Sequence, residues 1–138
     1  MHVKEAMHVG AESIAPDIPV REIAKKMQAL DIGAMPVMEN DKLIGMITDR
    51  DITCRAVADA PDLSKVMARD VMTANVIYCA ENEDLGDAAH LMEEKKIRRL
   101  PVLNDKNQLV GMLSLGDLSH AASHELAGEV TTSVTGHH

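Results

Sequence analysis

The chain has 138 residues and a net charge of −8, with 46% hydrophobic and 26% charged residues, no Phe or Trp, one Tyr and ten Met. That is the length of one ordinary domain or of two small units sharing a core, and it is too short for a barrel enzyme of roughly 250 residues. The negative charge argues against a nucleic-acid partner, no apolar run approaches the roughly 18 residues of a membrane span, and the N-terminus lacks a signal-peptide pattern; a soluble cytoplasmic protein with an aliphatic, adaptable core is expected.

In chain order, residues 3–7 form a lead-in and residues 13–15 a short strand. Val20, Ile23, Ala24, Met27 and Leu30 recur at helical spacing, which predicts an amphipathic helix with Asp17 at its capped start. The segment 34–38 reads as a strand with Pro36 at a start or edge. A polar turn over 39–42 leads to a strand at 43–47 and to a helix starting near Asp51. After a Pro61-Asp62 turn the series begins again. A helical lead-in at 66–72 is followed by a strand at 77–80 and by a helix carrying Leu85, Ala88, Ala89 and Met92, capped by Asp84. Strands at 99–103 and 109–113 precede a helix from near Asp117. The tail 128–138, rich in Thr, Ser and Gly, is expected to be disordered, its final His pair native or an added tag.

The series is a duplication. At an offset of 65, rising to 66 after an insertion near residues 105–107, Met7 meets Met72, Met27 meets Met92, Pro36 meets Pro101, Gly45 meets Gly111 and Asp51 meets Asp117. Glycines, prolines and apolar register do not persist together by chance over such a length. The repeats are set at 1–62 and 63–127. Each is a β-α-β-β-α unit too small to bury a good core alone. The expected fold is therefore α/β (α+β), with two such units packed about a pseudo-two-fold axis.

The stretch repeated most closely is Gly45-Met46-Ile47-Thr48-Asp49-Arg50-Asp51, which returns as Gly111-Met112-Leu113-Ser114-Leu115-Gly116-Asp117. An apolar pair after Gly reads as the end of a buried strand, and a hydroxyl residue three places before Asp as the capped start of a helix. Each copy thus gathers a hydroxyl, a carboxylate and free backbone N–H groups at one turn. A carboxylate accepts from two vicinal hydroxyls and a helix N-terminus favours an anion, so the turn suits a sugar diol and a phosphate. The same residue types also serve as plain helix caps. With no aromatic platform, a purine would lie among Ile, Val, Met and Ala.

Other constellations are weaker. His120 and His124 stand four apart on a helix, at metal-ligand spacing but without a third ligand. Cys54 and Cys79 form neither a disulfide scaffold nor a CxxC pair. There is no Walker-type loop, nucleophile elbow or HExxH, and an enzyme is not expected.

A Met-ending lead-in, a helix, Ile-x-x-x-Pro-Val, then Gly-apolar-apolar-Thr/Ser-x-x-Asp, present twice, resembles the cystathionine-β-synthase (CBS) domain in tandem, the Bateman module. The resemblance covers roughly residues 3–125. It implies a cleft between the two units for an adenosyl ligand such as AMP, ADP, ATP, NAD or S-adenosylmethionine. By position, Asp51 and Asp117 match the family's ribose-binding carboxylate, and Thr48 and Ser114 its hydroxyl near ribose and phosphate. Ser13, Ile14, Ala15, Tyr78, Cys79 and Ala80 match the adenine contacts. Gly33, Ala34 and Met35, with Arg98, Arg99 and Leu100, match the second wall. Only the second copy supplies arginines there, so phosphate is expected to prefer the cleft that Arg98 or Arg99 reaches, helped by Arg50, Arg55 or Lys4. The resemblance implies a homodimer. The chain is expected to sense an adenine nucleotide, AMP or NAD favoured, read by an unidentified protein partner, with no required cofactor; its charge and the lack of an apolar span leave nucleic acid and membrane out. The rival reading is a ligand-free dimerisation or adaptor module; a third is a metal or thiol redox sensor built on Cys54, Cys79 and the histidines.

Overall fold

The computed structural model describes residues 1–129, with side chains through Ser123; most of the tail expected to be disordered lies outside the described residues. In chain order the elements are α1 (Val3–Ala6), β1 (His8–Val9), α2 (Val20–Leu30), β2 (Ala34–Glu39), β3 (Lys42–Thr48) and α3 (Asp49–Asp51), which continues as a π-helix over Ile52–Val57. A 3-10 turn at Leu63–Lys65 precedes α4 (Ala68–Val71), β4 (Cys79–Ala80), α5 (Leu85–Lys95), β5 (Arg99–Leu103), β6 (Leu109–Ser114) and α6 (Leu115–Glu129).

Two compact units form, and neither is continuous in sequence. The first holds Ala11–Ile77 with Asn107–Leu109; the second holds Met1–Gly10, Tyr78–Lys106 and the chain from Val110. Residues 1–10 of the first repeat group with the body of the second, and residues 63–77 of the second with the body of the first, so the lead-ins exchange. In the second unit the sheet order is β1-β6-β5-β4, with His8 opposite Met112. In the first unit β2 and β3 pair antiparallel, Ile14 bridges Val37 in parallel, and Thr73 bridges Met46. Thr73 and Met46 exchange both backbone hydrogen bonds, at 2.8 and 2.9 Å. Residues 8 and 73 are repeat equivalents, as are 46 and 112, so each lead-in pairs with a strand of the other repeat, as β1 in one case and as a single bridge in the other.

The glycines of the repeated stretch make this exchange possible. A Cβ on Gly45 would lie 2.5 Å from Met72 Sδ and 3.1 Å from the Thr73 carbonyl oxygen. A Cβ on Gly111 would collide with the His8 carbonyl oxygen and stand 2.8 Å from Met7 Sδ. Only a residue without a Cβ lets the lead-in backbone lie this close.

Aliphatic side chains fill both units. In the first, α2 buries Val20, Ile23 and Met27 against Met35, Val37 and Ile47; Ala24 and Leu30, expected on the same face, are exposed. In the second, Val3, Ala88, Met92, Leu100, Val102 and Leu113 are fully buried. α5 is capped by Asp84, whose carboxylate accepts from the Gly86 N–H at 3.0 Å. Asp17 does not cap α2: the helix begins after Pro19, whose fixed φ of −61° positions the chain without a side-chain cap. Both helices end on a residue in the left-handed conformation, Asp31 (φ 54°) and Lys96 (φ 56°).

Candidate functional site

Each strand-to-helix turn closes on itself. Thr48 ends β3 in an extended conformation (φ −119°), which aims its hydroxyl along the incoming helix. Its Oγ1 accepts from the Asp51 N–H at 3.1 Å, and its own N–H donates to Asp51 Oδ2 at 2.9 Å. In the second unit Ser114 Oγ accepts from the Asp117 N–H at 3.1 Å and the Ser114 N–H donates to Asp117 Oδ2 at 2.8 Å. These are reciprocal capping boxes in which Asp takes the place usual for Glu. One carboxylate oxygen is fixed by backbone in each case, and Oδ1 remains for another partner.

The turns also hold the segment before β2 and β5. The Asp49 N–H donates to the Gly33 carbonyl at 2.9 Å, and the Leu115 N–H to the Arg98 carbonyl at 3.0 Å. Ala34 lies opposite Thr48 in the β2–β3 register. The structure thus brings Gly33, Ala34, Thr48 and Asp51 together in one unit, and Arg98, Ser114 and Asp117 in the other. Arg98 and Arg99 are exposed, whereas the side chains of Met35 and Leu100 are wholly buried in the core. Beside Arg98 and Leu115 a groove of about 500 Å³ runs along α5, lined by Ala89, Met92, Glu93, Lys96 and Ile97.

The candidates at 13–15 and 78–80 lie across β2 and β5 from the turns. Ile14 is buried; its N–H donates to the Pro36 carbonyl at 3.0 Å and its carbonyl accepts from the Met38 N–H at 2.8 Å. Ser13 is half-buried and Ala15 exposed. Cys79 pairs with Val102 and Ala80 with Leu103, in parallel. Tyr78 is half-exposed and Ala80 exposed. Burial, with the nearby Glu83 carboxylate, pushes the Cys79 thiol up to about 12. Cys54 is exposed, both cysteines are free, and among the described residues no three His, Cys, Asp or Glu side chains gather to hold a metal. The partner of His120 in the spacing argument, His124, lies past the last described side chain. Arg50 is exposed and its backbone N–H donates to Asp49 Oδ1 at 2.8 Å.

One basic side chain stands at each aspartate. Arg55, four residues after Asp51, places Nε 3.9 Å from Asp51 Oδ1, while its Nη1 donates to the carbonyls of Val71 and Met72 at 3.2 and 3.4 Å. His8, on the exchanged lead-in, brings Nδ1 to 2.8 Å from Asp117 Oδ1. The helical spacing of Asp51 and Arg55 is a signal in the sequence. His8 carries none, since nothing local says that the first lead-in joins the last strand.

Fold and turns together define an internally duplicated α/β protein with two equivalent hydroxyl–aspartate helix starts. The family model for the CBS domain matches twice, at residues 3–56 and 68–124. The chain belongs to the CBS-domain family. It is 38% identical over 134 residues to the CBS domain-containing protein YhcV of Bacillus subtilis, covering 96% of this chain and 94% of that one. Among solved structures, the CBS domain NE2398 superposes with a TM-score of 0.82 at 33% identity, over 89% of this chain and 98% of the other. The CBS domain pair of MJ0100, in complex with 5′-methylthioadenosine and S-adenosylmethionine, superposes with a TM-score of 0.78 at 28% identity, over 91% and 98%.

Proposed function

We propose that this chain is a regulatory module, not an enzyme, that binds an adenosyl ligand at its two hydroxyl–aspartate turns, with AMP or NAD favoured. The observation that carries the reading is the fixed carboxylate: Asp51 and Asp117 each have Oδ2 held by the backbone N–H of Thr48 or Ser114. A carboxylate already oriented loses little freedom on accepting a ribose diol. The similarity to the MJ0100 pair, crystallised with two adenosyl compounds, supports the ligand class. The exposed Arg98 and Arg99, beside the Ser114–Asp117 turn, give a phosphate its counter-charge there. A ligand that prefers one arrangement of the chain shifts the population toward it, and a protein partner reads the shift. A homodimer is the form proposed for the sensor.

Melting the protein with AMP, ADP, ATP, NAD, NADH and S-adenosylmethionine in turn tests this reading. A ligand at a hundred times its dissociation constant adds about 2.7 kcal/mol of apparent stability. The expected result is a rise in melting temperature with one or more of the six. The completeness of both capping boxes favours one other reading, a ligand-free dimerisation or adaptor module, and no shift with any compound selects it.

A further inference from the structure

The two aspartates are not in the same condition. Asp117 has both oxygens engaged, Oδ2 by the Ser114 N–H at 2.8 Å and Oδ1 by His8 Nδ1 at 2.8 Å, and it is 8% exposed. Asp51 has Oδ2 engaged by the Thr48 N–H, but its Oδ1 faces Arg55 Nε at 3.9 Å, beyond hydrogen-bond length. The repeat makes the contrast exact in position. Thr73 stands where His8 stands, and Ala121 stands where Arg55 stands, so each unit puts one nitrogen-bearing side chain near its carboxylate from a different element. Arg55 is tied down by the carbonyls of Val71 and Met72. The His8 side chain is 79% exposed on a two-residue strand and is free to turn into solvent.

We propose that His8 is a resident occupant of Asp117 Oδ1, so that this turn accepts a ribose diol only when the imidazole swings away, whereas the Asp51 turn accepts one directly. The proposal rests on the adenosyl-ligand reading above. It makes the two turns unequal: ligand fills the Asp51 turn first, and the Asp117 turn fills in competition with the protein's own side chain. Arg98 and Arg99 then add counter-charge to the turn that starts out occupied.

Calorimetric titration of the whole protein with AMP, and separately with S-adenosylmethionine, tests this on wild type, His8→Thr and Asp51→Asn, and on the double variant. Thr copies the residue at position 73, and His8→Ala serves as a second replacement at this exposed position. In the Asp51→Asn background, which retains the side-chain shape but removes the open carboxylate, replacing His8 is expected to tighten binding at the remaining turn about fivefold, the worth of one typical hydrogen bond. Unchanged or weaker binding in both His8 variants, with wild type still binding, overturns the occupancy by His8 and leaves the ligand reading standing. No binding of either compound by wild type or any variant, with no melting shift from the other four adenosyl compounds, overturns both.

Discussion

The hydroxyls of Thr48 and Ser114 begin a helix whether or not a ligand is present, and this separates two effects of mutation. Thr48→Ala or Ser114→Ala removes the acceptor for the N–H of Asp51 or Asp117, and each is expected to cost about 1 kcal/mol, seen as a melting temperature lower by roughly 3–5 °C. A melt without ligand checks this. Cys79 gives a second residue-scale prediction. Its thiol is pushed up to about 12 and is buried, while Cys54 is exposed, so iodoacetamide at pH 8 should label Cys54 in the folded protein and reach Cys79 only on unfolding. The sign of the pH effect follows. Above about pH 8.5 the unfolded Cys79 ionises and the folded one does not, so its contribution to stability is whole below that pH and declines as pH rises toward the folded value.

At the scale of elements, the exchanged lead-ins tie strand to strand. Gly111→Ala sets a Cβ against the His8 carbonyl, a backbone atom, whereas Gly45→Ala meets first the flexible Met72 side chain. Both are expected to destabilise by about 1–3 kcal/mol, Gly111→Ala the more, and urea unfolding ranks them. At the helix ends, Asp31→Gly and Lys96→Gly relieve a left-handed conformation and should each stabilise by up to about 1 kcal/mol. The helices, strands and both Thr/Ser–Asp turns are legible in the sequence because their signals are local: apolar period, a cap, a glycine. The exchange is not, because a lead-in of a few residues pairs equally well with either sheet on paper, and only the need for glycine at 45 and 111 hints at a close neighbour. Asp17 misleads as a cap because Pro19 sets the helix start instead. Ala24 and Leu30 mislead because α2 buries a narrower stripe than its apolar residues suggest. The π-helix after Asp51, which holds Arg55, leaves no mark in apolar spacing.

For the whole molecule, duplication gives two turns of one design with different neighbours, Arg55 beside Asp51 and His8 with Arg98 near Asp117. No helix among the described residues is long and apolar enough to cross a membrane. The family match covers most of the chain, and regulation is the proposed role of the molecule, with adenosyl binding its central event. The most direct measurement is equilibrium binding of whichever nucleotide raises the melting temperature, compared between wild type, Asp51→Asn and Asp117→Asn with each variant first shown to be folded. Loss of a carboxylate acceptor for a ribose hydroxyl is expected to weaken binding at that turn by about 1.5–3 kcal/mol, or roughly 10- to 150-fold. Nucleotide affinity undiminished in both variants would contradict the assignment of the two aspartates as ribose ligands.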